Sequence, residues 1–176
     1  LNLPKRIIGI TKAYVSRVGN SPFVTEISDE IGEKIRQKGI EFGTTTGRPR
    51  RIGWLDLVQV RQAVRISGIT EIAITKLDVL GGLKEIKLCV AYKTNNKIIT
   101  EMPASLLAMR EARPIYKTMP CWNNFDEKLK TKIKAGGYSQ LPDEIKNYLK
   151  FIEQQIKCRI EIISFGPDRA DTINAN

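Results

Sequence analysis

Apolar residues along this chain form short runs in some places and recur every three or four positions in others, which predicts a mixed α/β fold. The short runs are bounded by polar residues and predict strands or extended segments at Ile7–Ile10, Ile72–Thr75, Pro114–Thr118 and Arg159–Phe165. Glu85–Lys93 and Lys97–Thr100 predict an antiparallel β-hairpin, because the asparagines of Thr94–Asn96 suit the positive φ of a tight turn.

Helical spacing of apolar residues, together with residues that can cap or stop a helix, marks further segments. These run from Ser28 and Glu30 to Lys38, and over Trp54–Ile66, Pro103–Ala112, Phe125–Ala135 and Leu141–Ile156. Trp54–Ile66 has the clearest pattern, and a helix of about three turns that stops at Gly68 is predicted there. Two segments rich in polar residues, glycine and proline, Thr11–Thr25 and Glu41–Gly53, are predicted to be irregular.

The length of 176 residues suits a single domain, and a composition of 41% hydrophobic and 27% charged residues is typical of a folded protein. The sequence opens at Leu1 and reaches the apolar run Ile7–Ile10 almost at once, so we expect a piece of a longer polypeptide. No apolar stretch is long enough to cross a bilayer, and the N-terminus lacks a secretory pattern. A cytoplasmic protein without a membrane partner is predicted.

Residue types and motifs that are scarce or absent limit the kinds of catalysis, phosphate binding and metal binding that the chain could carry out by itself. The chain has no histidine, which excludes histidine-based acid–base catalysis within it. Neither a G-x-x-x-x-G-K-[ST] nor a G-x-G-x-x-G phosphate loop is present. Cys89, Cys121 and Cys158 are widely spaced without a C-x-x-C pair, so we expect buried or half-buried thiols and neither a disulfide framework nor a zinc site.

A net charge of +10 suits a polyanionic partner, either a nucleic acid or phosphorylated small molecules. Many of the lysines lie in two predicted helices, where they alternate with apolar residues and form a solvated face. The arginines at positions 48, 50 and 51 are more informative, because they follow glycine and three threonines. Threonine hydroxyls and backbone N–H groups can hold a carboxylate, and arginine binds carboxylate or phosphate oxygens in pairs. The alternative is a solvated basic turn.

Three other segments follow predicted strands. Lys76 and Asp78 come directly after Ile72–Thr75, a position where ligands bind in open α/β sheets, and a carboxylate there can accept hydrogen bonds from guanine N1–H and its exocyclic amine. Ser164, Phe165 and Gly166 end the last predicted strand, and a small hydroxyl and a glycine would let a planar ring approach the backbone. Lys12–Gly19 is polar and basic, but nothing local assigns it a role. Each segment is also compatible with an ordinary strand end.

Taken in order, these motifs resemble the adenylosuccinate synthetase family. The resemblance covers nearly the whole chain and includes Lys12–Gly19, Pro22–Phe23, Thr45–Arg51 with Gly53, Trp54 and Asp56, Thr75–Leu80, Leu88–Tyr92 and Ser164–Arg169. It implies that the whole chain, residues 1–176, is the C-terminal portion of a larger, mostly parallel-sheet α/β enzyme, with a β-hairpin and flanking helices. The N-terminal phosphate-loop region of that enzyme would then be absent.

The resemblance also implies an activity. Members of this family use GTP as co-substrate to join inosine monophosphate (IMP) and L-aspartate to adenylosuccinate, on the route to AMP. Mg²⁺ assists the phosphoryl transfer, and its ligands are expected in the missing N-terminal region, with none in this chain. The full-length enzyme is expected to be a homodimer with no nucleic-acid partner, and the fragment alone is expected to be inactive.

The family's binding residues carry over onto matching positions. Thr44, Thr45, Thr46, Gly47, Arg48, Pro49 and Arg50 correspond to the substrate-binding loop, in which Thr46 and Arg48 would hold the aspartate carboxylates. Arg50 would approach the GTP phosphates and is a candidate transition-state stabiliser, while no catalytic base is assigned to this chain. Lys76, Leu77, Asp78, Ser164, Phe165 and Gly166 correspond to the guanine-binding residues. Phe165 departs from the family, where smaller residues are common at this position.

A basic nucleic-acid-binding module is the alternative that the net charge favours. It would require affinity for RNA or DNA that falls steeply with added salt. The five Phe and five Tyr residues form no stacking stripe, and no helix-turn-helix or zinc-finger spacing is visible.

Overall fold

Two mixed β-sheets organise the structure, a computed structural model that describes residues 4–175. The strands are β1 (Ile8–Lys12), β2 (Tyr14–Arg17), β3 (Arg51–Asp56), β4 (Glu71–Thr75), β5 (Glu85–Thr94), β6 (Lys97–Ile99), β7 (Arg113–Pro120), β8 (Arg159–Ser164) and β9 (Thr172–Asn174). The α-helices are α1 (Glu30–Gly39), α2 (Leu57–Ser67), α3 (Leu77–Leu80), α4 (Leu106–Glu111), α5 (Glu127–Gly136) and α6 (Asp143–Ile156). The predicted mixed α/β class, with a hairpin and flanking helices, is confirmed.

The first sheet has the strand order β1-β4-β8-β9. β1, β4 and β8 run parallel, and β9 closes one edge in the antiparallel direction. Buried branched side chains fill the central strand β4, where Ile72 and Ile74 are almost wholly inaccessible, as expected of a strand covered on both faces. The parallel strands bring their carboxyl ends to one edge of the molecule, which is where the candidate site lies.

The second sheet contains β2, β3, β5 and β6 in that order, with β7 on the other side of β5. Only the β3–β5 pair is parallel. The predicted hairpin turn is present, since Asn95 and Asn96 have φ angles of 44° and 58° in the left-handed region. The predicted extended segment Pro114–Thr118 belongs to β7, which pairs along most of β5.

Two predictions about irregular structure were wrong. Within Thr11–Thr25 the chain forms β2, because Tyr14–Arg17 pairs with the residues from Trp54 back to Arg51. Gly53 and its neighbours were assigned to a loop and to the start of a helix, but they form β3, which lies between β2 and β5. Long-range pairing therefore overrides the weak local pattern at both places.

Helix starts are set by capping residues, and several lie later than the apolar pattern predicted. α2 begins at Leu57 because the Asp56 side chain accepts hydrogen bonds from the Val58 and Gln59 backbone N–H groups. Ser105 and Asp126 cap α4 and α5 in the same way, which shortens both helices relative to the predicted ranges. Gly68 ends α2 in the left-handed conformation, as predicted.

The hydrophobic core joins both sheets to α6. Tyr148 of α6 is wholly buried, packs edge-on against Trp122, and donates a 2.9 Å hydrogen bond to the Ala13 carbonyl. Cys89 and Cys158 are buried and Cys121 is half-buried, as predicted, and burial raises the pKa of each thiol. Among residues 4–175, no helix has the length and apolar character needed to span a bilayer.

Candidate substrate-binding site

The carboxyl ends of β1, β4 and β8 place three predicted segments side by side. Lys12 is paired in register with Thr75, and Ile74 with Ile163, so Lys12, Lys76 and Ser164 come at the ends of three adjacent parallel strands. Ligands of open α/β sheets bind at this edge. The sheet therefore brings the Lys12 segment next to both halves of the predicted guanine site.

A buried carboxylate, Glu41, lies beneath this edge at the end of α1. Its side chain is 1% exposed. Its Oε1 accepts hydrogen bonds of 2.6 Å from Lys12 Nζ and 2.6 Å from the Tyr14 hydroxyl, and its Oε2 accepts one of 2.8 Å from Arg50 Nη1. Lys76 Nζ lies 3.8 Å from Oε1. A buried charge is tolerated when it is paired and hydrogen-bonded in this way.

The surroundings of Glu41 fix its charge. Burial favours the protonated acid, but the hydrogen bonds from Lys12, Tyr14 and Arg50 outweigh it and lower the pKa of Glu41 from 4.5 to about 2. Tyr14 responds in the opposite sense, because burial and the adjacent Glu41 carboxylate raise the pKa of its hydroxyl. Asp78 follows two residues after Lys76, whose ammonium lies 3.8 Å from Glu41 Oε1, and its charge adds to the raising of the Tyr14 pKa. At neutral pH Glu41 is therefore a carboxylate and Tyr14 a neutral phenol. We call these two residues, together with Lys12, Arg50 and Lys76, the Glu41 cluster.

Gly39 makes room for this arrangement. A Cβ atom added at Gly39 would overlap the Tyr14 hydroxyl, so a larger residue there would displace the donor to Glu41. The next residue, Ile40, has a φ of 53° and ends α1 in the left-handed conformation, which directs the chain into the loop that follows.

The segment Gly43–Arg48, which we call the arginine loop, is closed by its own backbone. Gly43 N–H donates a 2.8 Å hydrogen bond to the Arg48 carbonyl, and Gly47 N–H donates one of 2.8 Å to the Gly43 carbonyl. At its base, Arg50 N–H donates to the Glu41 carbonyl at 2.9 Å. Gly47 has a φ of 64°, a conformation that glycine adopts without strain. The loop is therefore a defined turn anchored to the Glu41 segment.

Side chains of the arginine loop and that of Arg50 at its base differ in their contacts. Thr44, Thr45, Thr46 and Arg48 are exposed, and the Arg48 guanidinium makes no hydrogen bond or ion pair with any residue that the structure describes. Arg50 is held by Glu41, while 31% of its side chain remains exposed. Arg48 is thus available to a ligand, and Arg50 is oriented by the protein while other guanidinium N–H groups stay accessible.

Lys76 occupies a strained position between β4 and the short helix α3. Its φ of 61° lies in the left-handed region, which costs a non-glycine residue about 1 kcal/mol. Its ammonium donates a 2.6 Å hydrogen bond to the Gly39 carbonyl and faces Glu41. These contacts hold the Lys76 side chain along the end of α1, next to the arginine loop.

Asp78 contrasts with Glu41. It is half-buried in the first turn of α3, and within residues 4–175 its carboxylate receives no hydrogen bond and forms no ion pair. The Lys38 ammonium interacts with it only electrostatically, and a half-buried carboxylate that accepts no hydrogen bond is costly unless a ligand or water supplies donors. Its neighbour Leu77 is fully buried, so only the Leu77 backbone could contact a ligand, and its carbonyl already accepts from Trp122 Nε1.

The Ser164–Gly166 segment lies after β8. Ser164 is half-buried, and its hydroxyl donates a 3.1 Å hydrogen bond to the Gly166 carbonyl. The Phe165 ring is fully buried and stacks on Phe125 with 5.7 Å between centroids, so this side chain belongs to the core. A Cβ atom added at Gly166 would overlap the carboxylate of Asp171, which lies 2.7 Å from Lys134 Nζ. Gly166 is therefore required by the turn itself.

Sequence reasoning missed the buried part of the site. Glu41 and Tyr14 had no assigned role, and the Lys12 segment was taken for a loop. The only local signal was a single acid placed between a predicted helix end and a run of arginines. Its partner Lys12 is 29 positions away in sequence, which a local pattern does not reveal.

No group of three or more Cys, Asp or Glu side chains in the described part of the chain could hold a metal ion. Both carboxylate oxygens of Glu41 already accept hydrogen bonds from the protein. Asp78 belongs to no such group of three side chains among the described residues.

The chain is similar to known proteins of one family. The chain matches a family model described as adenylosuccinate synthetase over residues 2–173. Adenylosuccinate synthetase of Caldicellulosiruptor bescii is 50% identical over 169 residues, covering 96% of this chain and 38% of that protein. The enzyme of Caldanaerobacter subterraneus subsp. tengcongensis is 48% identical over 167 residues, covering 95% of this chain and 38% of that protein.

A solved structure gives the same result. The fully ligated adenylosuccinate synthetase of Plasmodium falciparum superimposes with a TM-score of 0.87 at 36% identity, covering 98% of this chain and 40% of that one. The chain thus spans about two fifths of the length of these relatives. The matches give no support to the nucleic-acid-binding alternative, and they do not support the expectation that the chain is specifically a C-terminal portion.

Proposed function

The chain belongs to the adenylosuccinate synthetase family, and on that premise we propose that it supplies the aspartate-binding and guanine-binding parts of a GTP-dependent ligase. The complete enzyme would join IMP and L-aspartate to adenylosuccinate in AMP biosynthesis. Residues 1–176 would act as one unit of that enzyme. A cytoplasmic homodimer is the proposed form of the full-length protein.

The observation that carries this proposal is the difference between two neighbouring carboxylates. Glu41 is saturated by Lys12, Tyr14 and Arg50, whereas Asp78 is without a donor among the described residues. Guanine offers two adjacent donors, N1–H and the exocyclic amine, while adenine has no such pair. An unpaired carboxylate at the end of β4 is the complement of guanine, with Ser164 and Gly166 on the adjacent strand end.

Aspartate would bind at the arginine loop. Arg48 is exposed and unpaired among residues 4–175, and it stands next to three threonine hydroxyls on a turn whose backbone is already closed. A bidentate guanidinium–carboxylate pair is the strong interaction available there. Thr44 to Pro49 would surround the ligand, and Arg50 would turn its accessible N–H groups toward the phosphates of GTP.

Stabilisation of phosphoryl transfer requires positive charge placed in advance near the transferring group. Arg50 is proposed for this role because Glu41 already fixes its orientation at 2.8 Å. GTP would donate its γ-phosphoryl group to the 6-oxygen of IMP, and the aspartate amine would then displace that phosphate. Mg²⁺ supplies further charge neutralisation in this family, and its ligands would come from residues outside this chain.

The experiment is an assay of the full-length protein with IMP, L-aspartate and GTP, following adenylosuccinate formation. Product that depends on all three substrates supports the proposal, and its absence from a folded full-length protein contradicts it. The C-terminal placement of the chain stays a prediction, which the coding sequence upstream of Leu1 tests. A phosphate loop encoded upstream would confirm it, and one encoded downstream of Asn176 would contradict it.

A further inference from the structure

Glu41 is shared by cations from both proposed binding loops. Arg50, at the base of the arginine loop, donates to Oε2, and Lys76, in the guanine-binding segment, lies 3.8 Å from Oε1. We propose that Glu41 is a positioning residue that holds Arg50 and Lys76 in their binding orientations, so that the aspartate and guanine sites are formed together. This inference rests on the function proposed above.

The burial of Glu41 separates this role from direct contact with substrate. Its side chain is 1% exposed, and both carboxylate oxygens are occupied by donors from the protein. A ligand therefore cannot reach it without dismantling the cluster. Glu41 acts through the side chains that it orients.

The cations around Glu41 remain accessible on their outer sides. The side chains of Lys12, Arg50 and Lys76 are 29%, 31% and 38% exposed. These three positive charges face one carboxylate, so the cluster keeps a surplus of positive charge at the edge where anionic ligands would bind. Lys12 therefore has two effects: it pairs with Glu41, and it adds to the surplus of positive charge at this edge.

Backbone contacts connect the same parts. Lys76 Nζ donates to the Gly39 carbonyl at 2.6 Å, and Arg50 N–H donates to the Glu41 carbonyl at 2.9 Å. The Arg36 guanidinium also donates to the Arg50 carbonyl at 2.8 Å. The segment from Gly39 to Glu41 is thus held from both sides, and a change at Glu41 would disturb both loops.

The test is Glu41→Gln in the full-length enzyme, which keeps the shape of the side chain but removes its charge. The KM for GTP is expected to rise about tenfold, because Arg50 and Lys76 both lose the charge that orients them, and the KM for aspartate is expected to rise as well, because Arg50 anchors the base of the arginine loop. Arg48→Leu and Asp78→Asn serve as comparisons, because each should raise mainly one of the two KM values.

Glu26→Gln is the matched control. Glu26 also forms an ion pair with an arginine, Arg51, but outside the cluster, with hydrogen bonds of 2.7 and 2.6 Å. This variant should leave both KM values unchanged. If Glu41→Gln leaves either KM unchanged in an active enzyme, the positioning role is overturned while the proposed function stands. If the wild-type enzyme makes no adenylosuccinate, the proposed function itself fails.

Glu41→Asp keeps the inference testable if the glutamine variant does not fold. This variant retains the charge but shortens the side chain by one methylene group, so smaller increases in both KM values are expected. A folded Glu41→Asp enzyme with the kinetics of the wild type would overturn the role of Glu41.

Discussion

Lys12 and Glu41 form a 2.6 Å hydrogen-bonded ion pair across 29 positions of sequence, linking the end of β1 to the end of α1. The Glu41 side is buried and the Lys12 side is partly exposed. This pair connects the sheet of β1, β4, β8 and β9, which carries the proposed guanine site, with the arginine loop. Its consequences for stability and binding can be measured separately.

Acid should remove the stabilisation that Glu41 provides. Because the folded-state pKa of Glu41 is about 2, below its ordinary value of 4.5, its contribution is fully present above pH 4.5 and is lost as the pH falls toward 2. At pH 7, Glu41→Gln should lower the free energy of unfolding by about 2 kcal/mol, allowing for screening of its partly exposed partners.

Urea unfolding of the full-length protein and of its Glu41→Gln variant at several pH values measures this contribution. The difference between the two free energies should shrink as the pH falls below 4.5. A difference that stays constant down to the acid limit of the folded state would contradict the lowered pKa of Glu41.

Arg48 should govern aspartate binding. In the full-length enzyme, Arg48→Leu is expected to raise the KM for aspartate roughly 10- to 100-fold, the usual effect of losing a charge-assisted pair. The KM for GTP should change little, because the Arg48 side chain forms no hydrogen bond or ion pair with a described residue of the guanine segment. Steady-state kinetics with each substrate varied in turn measure both values.

Arg110→Leu is the control for Arg48→Leu, since Arg110 is an exposed arginine on α4, outside the proposed site. It should leave the KM for aspartate at the wild-type value. Unchanged aspartate saturation in Arg48→Leu would refute the assignment of the arginine loop.

The aspartates that cap α2 and α5, Asp56 and Asp126, should contribute differently to the free energy of unfolding. Asp56 is buried, caps α2, and also accepts hydrogen bonds from the Tyr92 hydroxyl and, at 2.8 Å, from Gln59 Nε2. Asp126 is exposed and caps α5 through one bond of 2.7 Å to Leu129 N–H. Asp56→Ala should lower the free energy of unfolding by about 3 kcal/mol, because it also removes the carboxylate that accepts from the buried Tyr92 hydroxyl, and Asp126→Ala should lower it by about 1 kcal/mol.

Urea unfolding of the two full-length alanine variants makes this comparison. Replacing Tyr92 by Phe in the Asp56→Ala background should recover part of the loss, since the hydroxyl that lost its acceptor is then removed. Equal costs for the two caps would show that the buried network around Asp56 adds nothing to its capping role.

Much of the fold could be predicted where local pattern and tertiary structure agree. The strands β4 and β8, the hairpin with its two asparagines, and the helix α6 follow directly from periodicity and turn residues. Trp54 and Leu55 were assigned to a helix because they continue the apolar spacing of α2. Pairing of β3 with β2 and β5, and the cap at Asp56, decide otherwise.

The candidate site could be predicted only in its exposed parts. Residues of the arginine loop and the guanine segment carry recognisable motifs, and the structure brings them to one edge. Glu41 was missed because its importance comes from burial among Lys12, Tyr14 and Arg50, and no local pattern in the sequence shows that these side chains meet. Phe165 shows the converse, since its ring is part of the core and only its backbone faces the turn.

The most direct test of the account is the nucleotide preference of full-length Asp78→Asn. Asparagine can still accept one hydrogen bond but offers an amide donor, which suits xanthine, where a carbonyl replaces the guanine amine. The KM for GTP should rise at least about tenfold, and use of xanthosine triphosphate should improve over the wild type. If the variant used GTP as well as the wild type and gained nothing with xanthosine triphosphate, Asp78 would not read the base, and the proposed guanine site would be wrong.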